Sequence, residues 1–352
     1  MQRTQIKNYI SSPLNYIGGK ARILDQMLPF MPTNIDIFVD LFCGGCNVGM
    51  NVPAGHTIYN DTSKPLISLI KALKRMKNET IIKRINELID EFEFSRTRDH
   101  NFKYYGGDAN KGVSAYNREK FLLLRERFNT YPKKDNQYYI LLYTLILFGF
   151  NNQLRFNDNG EFNLPVGKRD FNTAIEAKLV RFLNALRVQD CEFQTKDFRR
   201  FDFTNLTANS LVYCDPPYLI TTATYNEKDG WNEQDELDLL AILDNLNERG
   251  IKFALSNVLQ HEGKENTLLQ ERIVSMAEYN KFIGKYERIP YNSFVWKFGT
   301  TSFRTREFNR MTEWQLQLLD DFWKKPENRT QGWEKKYMAP GQKDIYEIKN
   351  RY

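Results

Sequence analysis

Apolar and polar positions follow two periods along the chain, and these periods predict its elements. Apolar runs rich in β-forming residues predict buried strands at 35–42, 56–60, 211–214 and 252–256. Apolar residues at helical spacing predict helices over 21–31, 66–76, 79–92, 115–128, 136–149, 175–187 and 233–248. Predicted strands and helices follow one another at 21–92 and again at 175–256. This order is typical of an open α/β sheet with parallel strands.

The middle of the chain interrupts the α/β pattern. Residues 96–134 hold ten Lys and Arg against four Asp and Glu. Two short runs, 153–157 and 161–164, flank Asp158-Asn159-Gly160 and predict a β-hairpin. We therefore predict one α/β domain with a helical and β-hairpin insertion and a basic C-terminal extension. The predicted boundaries are 1–94 with 173–320 for the domain, 95–172 for the insertion and 321–352 for the extension.

Composition limits the classes of protein to which this chain can belong. With 352 residues, of which 41% are hydrophobic, the chain can bury a substantial core, and global disorder is not expected. The net charge of +6 permits a polyanionic partner without requiring one. Four cysteines are too few for a disulfide framework, the N-terminus lacks the apolar core of a secretory signal, and the apolar run at 138–150 is too short to span a bilayer. We expect a cytoplasmic protein with no membrane partner.

The sharpest chemical feature is Asp215-Pro216-Pro217-Tyr218, directly after a predicted buried strand. Ligands of open α/β sheets bind beyond the carboxyl ends of the strands, and two prolines keep the backbone there rigid. An exocyclic amine could donate its two hydrogens to Asp215 and the Pro216 carbonyl while its ring stacks on Tyr218. The alternative is a rigid turn with a capping aspartate.

A glycine-rich turn, Cys43-Gly44-Gly45-Cys46, follows the first predicted strand. Glycine allows a ligand to approach the backbone closely, but the pattern is not GxGxxG, so a pyrophosphate cradle fits poorly. Asp61, after the second strand, can accept hydrogen bonds from ribose hydroxyls; a helix N-cap is the alternative. The CxxC pair lacks the second cysteine pair or the thioredoxin-like context that zinc or redox sites need, and no metal site is predicted.

Five segments, in this order, resemble those of the Dam-type DNA adenine-N6 methyltransferases (the D12 class, alpha group). These segments are 14–20, 40–45, 59–61 with 66–69, 153–165 and 213–218. The resemblance extends from about residue 13 to residue 260. It implies a Rossmann-like methyltransferase fold with a mixed, mostly parallel sheet, in which 95–172 is the target recognition domain. It also implies S-adenosylmethionine as cofactor and transfer of its methyl group to N6 of an adenine flipped out of double-stranded DNA.

The resemblance assigns roles to individual residues. The cofactor-binding residues are expected to be Tyr16, Lys20, Asp40, Phe42, Gly44, Asp61, Asp197, Phe198 and Asp215. The catalytic residues, which hold the target base, are expected to be Asp215, Pro216, Pro217 and Tyr218. The DNA-binding residues are expected to be Asn15, Phe150, Asn151, Gln153 and Arg155.

Two of the DNA-binding positions match the family and two depart from the enteric enzyme. Arg155 matches a guanine-reading arginine, with a phosphate contact as the alternative. Phe150 matches an aromatic residue that enters the gap left by the flipped base. Asn15 and Gln153 stand where the enteric enzyme has lysine and leucine, so the target sequence need not be GATC.

Other functions stay open at this point. An enzyme of this type could instead methylate cytosine N4 or an RNA adenine, although N4-cytosine enzymes more often carry serine in place of Asp215. A catalytically idle DNA-binding regulator is a hypothesis from another class. A nicotinamide-dependent oxidoreductase would need the GxGxxG pattern that the glycine-rich turn lacks. We expect a monomer that acts on double-stranded DNA, with any cognate restriction endonuclease a separate protein.

Overall fold

The computed structural model describes most of the chain up to residue 269 and one short segment beyond it. The described residues are 9–16, 18–28, 31–108, 110–220, 230–258, 260–261, 263–269 and 295–297. All of them belong to one compact unit, 1–298. The second unit, 299–352, and with it the predicted basic extension at 321–352, lies outside the described residues.

A six-stranded sheet forms the centre of the described part of the chain. Its strands, in sheet order, are β3 (Cys191–Gln194), β2 (Ala54–Asn60), β1 (Ile35–Asp40), β4 (Leu211–Cys214), β5 (Lys252–Asn257) and β8 (Val295–Lys297). All five neighbouring pairs are parallel, which confirms the predicted α/β fold. The antiparallel strand of a mixed sheet is not found among the described residues of this sheet. A separate antiparallel pair consists of β6 (Gln260–His261) and β7 (Lys264–Glu265).

Helices connect the strands, and most of their bounds agree with the sequence prediction to within about two residues. They are α1 (Leu24–Met27), α2 (Lys64–Arg75), α3 (Asn78–Glu91), α4 (Ser114–Asn129), α5 (Asn136–Phe148), α6 (Thr173–Val188) and α7 (Glu233–Glu248). The helix predicted over 21–31 is shorter: a 3₁₀ turn at Lys20–Arg22 leads into the single turn of α1. The prediction missed β3, because its half-buried residues do not form an apolar run.

Helix α5 is the most deeply buried helix of the described residues. Its residues from Ile140 to Phe148 are all buried, as predicted from their continuous apolar run. Apolar residues of α2, α3, α4 and α6 pack in the same cluster. None of the described helices combines the length and the apolar character that crossing a membrane requires. The boundaries of the insertion, 95–172, stay a prediction.

The predicted β-hairpin is only partly formed. Two isolated antiparallel bridges, Phe156 with Phe162 and Gly149 with Val166, replace the two regular strands. The side chain of Asn129 accepts from the Phe162 N–H at 2.9 Å and donates to the Phe162 carbonyl at 3.2 Å. The ladder bonds of the hairpin flank the Phe156–Phe162 pair: the Asn163 N–H donates to the Arg155 carbonyl at 3.3 Å, and the Asn157 N–H donates to the Glu161 carbonyl at 2.9 Å. The N–H and carbonyl of Phe162 face away from this ladder and bind Asn129.

Candidate active site

The carboxyl ends of β1, β2 and β4 open onto a cavity of about 400 Å³. Asp40 is the last residue of β1 and pairs in register with Tyr213 of the neighbouring strand β4. Asp215 directly follows β4, so Asp40 and Asp215 lie at the same edge of the sheet. All the residues that the sequence predicted for the cofactor and for catalysis line this cavity: Tyr16, Lys20, Asp40, Phe42, Gly44, Asp61, Asp197, Phe198, Asp215, Pro216, Pro217 and Tyr218. The structure thus brings these residues together, and their individual roles stay predictions.

The glycine-rich turn after β1 is fastened to both neighbouring strands. Leu41 N–H donates to the Tyr213 carbonyl at 2.9 Å, and Cys43 N–H donates to the Asn60 carbonyl at 2.8 Å. Gly44 has a φ of +47°, and a Cβ there would lie 2.7 Å from the Tyr16 ring. Glycine is therefore required at this position by both its backbone conformation and the close approach of Tyr16.

Asp61 holds this turn in place. Its Oδ2 accepts from the Gly44 N–H at 2.9 Å, and its Oδ1 accepts from the Ser63 N–H at 2.9 Å. Burial raises the pKa of the Asp61 carboxyl, and these two N–H donors oppose the rise. Ser63, and not Asp61, occupies the N-cap position of α2. Each carboxylate oxygen can accept a further hydrogen bond, so Asp61 retains acceptor capacity toward the cavity.

Asp215 is paired with a lysine from the N-terminal segment. Lys20 Nζ contacts both carboxylate oxygens, at 2.6 Å for Oδ1, and also donates to the Gly18 carbonyl at 2.7 Å. The Tyr218 hydroxyl donates to Asp215 Oδ1 at 3.1 Å. Burial raises the pKa of the Asp215 carboxyl, while Lys20 and Tyr218 oppose that rise. The lysine therefore favours the ionised form of this carboxylate.

The N-terminal segment that carries Lys20 is anchored beside the glycine-rich turn. Asn51 accepts from the Ile10 N–H and donates to the Ile10 carbonyl, both at 2.8 Å. Asn47 accepts from the Ser12 N–H at 2.9 Å. These side chains take the place of a strand partner for an otherwise irregular segment, and they fix the approach of Tyr16 and Lys20 to the cavity.

Three aromatic rings form one side of the cavity. Ring centroids lie 5.5 Å apart for Phe42 and Phe198, 5.8 Å for Phe42 and Trp231, and 5.4 Å for Phe198 and Trp231. The Arg199 guanidinium lies 4.4 Å from the centre of the Phe198 ring and pairs with Asp235 and Asp238. The wall is therefore apolar, with a polar rim next to it.

Several residues of this cavity were not predicted from the sequence. Among them are Asn47, Thr62, Arg199, Trp231 and Asp235. A signal for Trp231 was present: Asn232 and Asp235 form a capping box at the start of α7, which places Trp231 at the entry to that helix. Nothing in the spacing of these residues indicated that the tryptophan would face Phe42 and Phe198.

The predicted DNA-binding residues lie on two neighbouring segments. Phe150 is 45% exposed and, with Asn151, belongs to a 3₁₀ turn after α5. Asn15 Nδ2 donates to the Asn151 carbonyl at 2.9 Å, so the N-terminal segment touches this turn. Gln153 follows the turn and is half-buried.

Arg155 is exposed on the partly formed hairpin and is held from one side. Its Nε donates to Asn163 Oδ1 at 2.8 Å, and its Nη2 donates to the Asn163 carbonyl at 3.1 Å. These bonds use the Nε edge of the guanidinium. They orient the group while leaving N–H donors of the two terminal nitrogens for an external acceptor.

Asp40 gives the site a measurable dependence of stability on pH. Its side chain is 1% exposed, and burial raises the pKa of the carboxyl to about 7, against the opposing hydrogen bond from the Gly49 N–H at 3.1 Å. The native state thus keeps this proton up to about pH 7, whereas the unfolded chain releases it near pH 4. The native state binds more protons in this window, so the contribution of Asp40 to the free energy of unfolding decreases as pH rises from about 4 to about 7.

We expect Asp40→Asn to remove this dependence. The free energy of unfolding of the variant minus that of the unsubstituted protein should increase by on the order of 1–4 kcal/mol as the pH rises from about 4 to about 8. Denaturant unfolding at several pH values, without ligands, measures the difference. Asp36→Asn, at an exposed position of the same strand, is the matched control. If the curves of Asp40→Asn and the unsubstituted protein run parallel over this range, Asp40 does not carry the proton.

Comparison with known proteins places the chain in a family. The model of the D12 class N6 adenine-specific DNA methyltransferases matches residues 16–285. The Type II methyltransferase M.FokI of Planomicrobium okeanokoites is 43% identical over 271 residues, which cover 75% of this chain and 38% of that protein. The modification methylase StsI of Streptococcus sanguinis is 41% identical over 271 residues, with the same shares of 75% and 38%.

A shorter relative matches along most of its own length. The DNA adenine methylase of Escherichia coli (strain K12) is 28% identical over 252 residues, which cover 69% of this chain and 79% of that protein. By contrast, the chain spans about two fifths of the length of the M.FokI and StsI methylases. The family match nevertheless covers most of the chain and includes the cavity-lining segments from Tyr16 to Asp235. The chain belongs to the D12 class of N6 adenine-specific DNA methyltransferases.

Proposed function

We propose that the chain methylates adenine N6 at a specific site in double-stranded DNA, with S-adenosylmethionine as the methyl donor and the target base flipped out of the duplex. The observation that carries this proposal is the position of Asp215-Pro216-Pro217-Tyr218 at the end of β4, on the cavity behind the glycine-rich turn. Membership of the D12 class supports an adenine substrate over cytosine.

The donor set of the cavity fits S-adenosylmethionine. A volume of about 400 Å³ is within the range of small-molecule sites. The aromatic wall of Phe42, Phe198 and Trp231 suits an adenine ring, and Asp61 can accept from ribose hydroxyls. Tyr16 and Lys20, on the side next to Asp215, would lie near the methionine end. The cofactor supplies a methyl group activated by a positively charged sulfur.

The catalytic residues hold the amine of the target base. Asp215 and the Pro216 carbonyl each accept one N6 hydrogen, and Tyr218 stacks on the ring. These bonds localise the nitrogen lone pair, so no strong base is needed before methyl transfer. The new N–C bond would form as the C–S bond of the donor breaks, with the electron pair of that bond staying on sulfur and S-adenosylhomocysteine leaving as the product. One proton then leaves N6 through Asp215. Because Lys20 contacts both oxygens of Asp215, the incoming amine must share that carboxylate with it or displace it.

Arg155 is proposed to read a guanine edge in the major groove. We expect Arg155→Ala to relax discrimination at one base pair by about 1–3 kcal/mol, because a bidentate contact to the base would be lost. Methylation rates on a set of duplexes, each with one base pair changed, measure the effect. Asn163→Ala is the companion variant and should relax the same position to a smaller extent, since it removes the bond to Nε but keeps the backbone carbonyl that binds Nη2. Equal weakening on every duplex would instead identify a phosphate contact.

The proposed reaction can be tested by incubating the purified protein with plasmid DNA and S-adenosylmethionine, followed by modification-sensitive long-read sequencing. N6-methyladenine confined to one short motif is the expected result, and it would supply the target sequence. Donor binding without DNA methylation would contradict the DNA substrate and favour RNA. A folded protein that binds no donor would contradict the enzyme and favour a DNA-binding regulator. We propose a monomer that acts in the cytoplasm, with any cognate endonuclease a separate protein.

A further inference from the structure

We infer that Glu236 is a positioning residue of the donor site, which holds Trp231 against Phe42 and Phe198 so that the three rings form a fixed wall for the adenine of the donor. This inference rests on the proposed function, because it names the adenine subsite of the same cavity. Two observations carry it. Trp231 lines the cavity as part of the aromatic wall, and its indole nitrogen donates to Glu236 Oε2 at 2.6 Å.

The contribution of Trp231 to the wall depends on the orientation of its ring relative to Phe42 and Phe198. Its ring meets Phe42 edge-on, at an interplanar angle of 77°, and lies tilted by 36° against Phe198. Among the described residues, Trp231 contacts the two phenylalanine rings on one side and the cavity on the other, so a directional bond restricts its rotamer further. The hydrogen bond from Nε1 supplies that constraint.

Glu236 is itself held by two asparagines from other elements. Its Oε1 accepts from Asn257 Nδ2 at 3.0 Å, at the end of β5, and from Asn266 Nδ2 at 2.8 Å, in the segment after β7. The Glu236 side chain is 1% exposed, and it forms no salt bridge with a described residue. A buried carboxylate without a cation is costly unless hydrogen bonds satisfy it. Because a buried carboxylate is costly to keep, we infer that Glu236 has a specific role, which is to fix the orientation of the Trp231 ring.

The network specifically requires a carboxylate. Asn257 Oδ1 accepts from the Val258 N–H at 2.7 Å, and Asn266 Oδ1 accepts from the Leu269 N–H at 3.0 Å. These backbone bonds fix the orientation of both amides, so their NH₂ groups must face Glu236. Three donors thus converge on its two oxygens. A glutamine that directs its own NH₂ at the two asparagines would lose two contacts, and one that directs it at the tryptophan would lose the Trp231 contact.

We expect Glu236→Gln to weaken binding of adenosine and of S-adenosylhomocysteine by the same factor, about three- to tenfold, in isothermal titration calorimetry. Trp231→Leu should lose at least as much, and the double variant no more than Trp231→Leu alone, since both changes act through one ring. Affinity for duplex DNA should not change. Glu233→Gln, exposed in the first turn of α7, is the matched control and should bind both ligands normally.

A second measurement tests the contact without any ligand. The chain has five tryptophans, and Trp231→Phe identifies the indole N–H signal of Trp231 in a ¹H–¹⁵N spectrum. That signal should exchange slowly with water in the unsubstituted protein and rapidly in Glu236→Gln. Should Glu236→Gln fail to fold, Trp231→Phe, which keeps a ring but removes the donor, should show the same ligand loss.

The outcomes separate this inference from the proposed function. The inference would be overturned if Glu236→Gln and Trp231→Phe bind both ligands with normal affinity. It would also be overturned if the losses of Glu236→Gln and Trp231→Leu add in the double variant. Neither result would contradict the proposed function. If the unsubstituted protein is folded and binds neither adenosine nor S-adenosylhomocysteine, the proposed donor is wrong, and the inference is overturned with it.

Discussion

Replacing Asp215 by asparagine is expected to lower the single-turnover rate of methyl transfer by about 10²–10⁴-fold. In the proposed reaction the carboxylate accepts a hydrogen from the amine and takes up the proton that leaves it, and asparagine can do neither with the same strength. Asparagine also replaces one of the two oxygens that contact Lys20 by an NH₂ group, so one of these contacts is lost. Quenched-flow or manual-quench measurements with saturating enzyme isolate this step from product release.

The affinity of this variant for DNA should stay close to that of the unsubstituted protein, because Arg155, Phe150 and Asn151 lie on other segments. Asp190→Asn, at an exposed position before β3, is the matched control and should retain full activity. A rate for Asp215→Asn within threefold of the unsubstituted protein would show that this carboxylate is not catalytic.

The second large effect is expected from Lys20→Met. Burial raises the pKa of Asp215 and Lys20 opposes that rise, so removing the lysine should raise this pKa further. A protonated Asp215 cannot accept the amine hydrogens in the same way, so activity is lost below its pKa. The acid limb of the pH–rate profile should therefore move to higher pH, with activity regained as the pH increases.

Single-turnover rates between about pH 5 and pH 9 measure this shift. Lys83→Met, at a position that is 77% exposed on α3, removes the same charge far from Asp215 and should leave the profile unchanged. A rate that falls by one constant factor at every pH would contradict an effect through the ionisation of Asp215. It would instead assign Lys20 to binding of the donor or of DNA.

Strands that are buried on both faces were predictable from the sequence. Leu211–Cys214 has the predicted bounds, because four apolar residues precede a proline pair that cannot continue a central strand. The edge strand Cys191–Gln194 was missed, since none of its four residues is fully buried and its two apolar residues do not form a continuous run. The hairpin was predicted as two strands, but only isolated bridges form. The contact of Phe162 with Asn129 is a tertiary interaction that local sequence does not reveal.

The candidate site was predictable where parallel-sheet geometry decides the position. Asp40, Asp61 and Asp215 follow three strands whose carboxyl ends share one edge, so their convergence follows from topology. The pairing of Lys20 with Asp215 was not predicted, because it joins residues 195 positions apart through an irregular segment. Trp231 was missed for a related reason: its place depends on Glu236, Asn257 and Asn266, which only the folded chain brings together.

The N-terminal segment has a consequence for the fidelity of the proposed enzyme. Asn15 touches the turn that carries Phe150 and Asn151, and Lys20, five positions later, holds Asp215. A duplex with a wrong base pair that displaces this turn would therefore disturb the lysine as well. We expect errors to be rejected mainly as slow chemistry and less as weak binding. Such an enzyme can stay bound while it scans long stretches of DNA and can commit only where the match is correct.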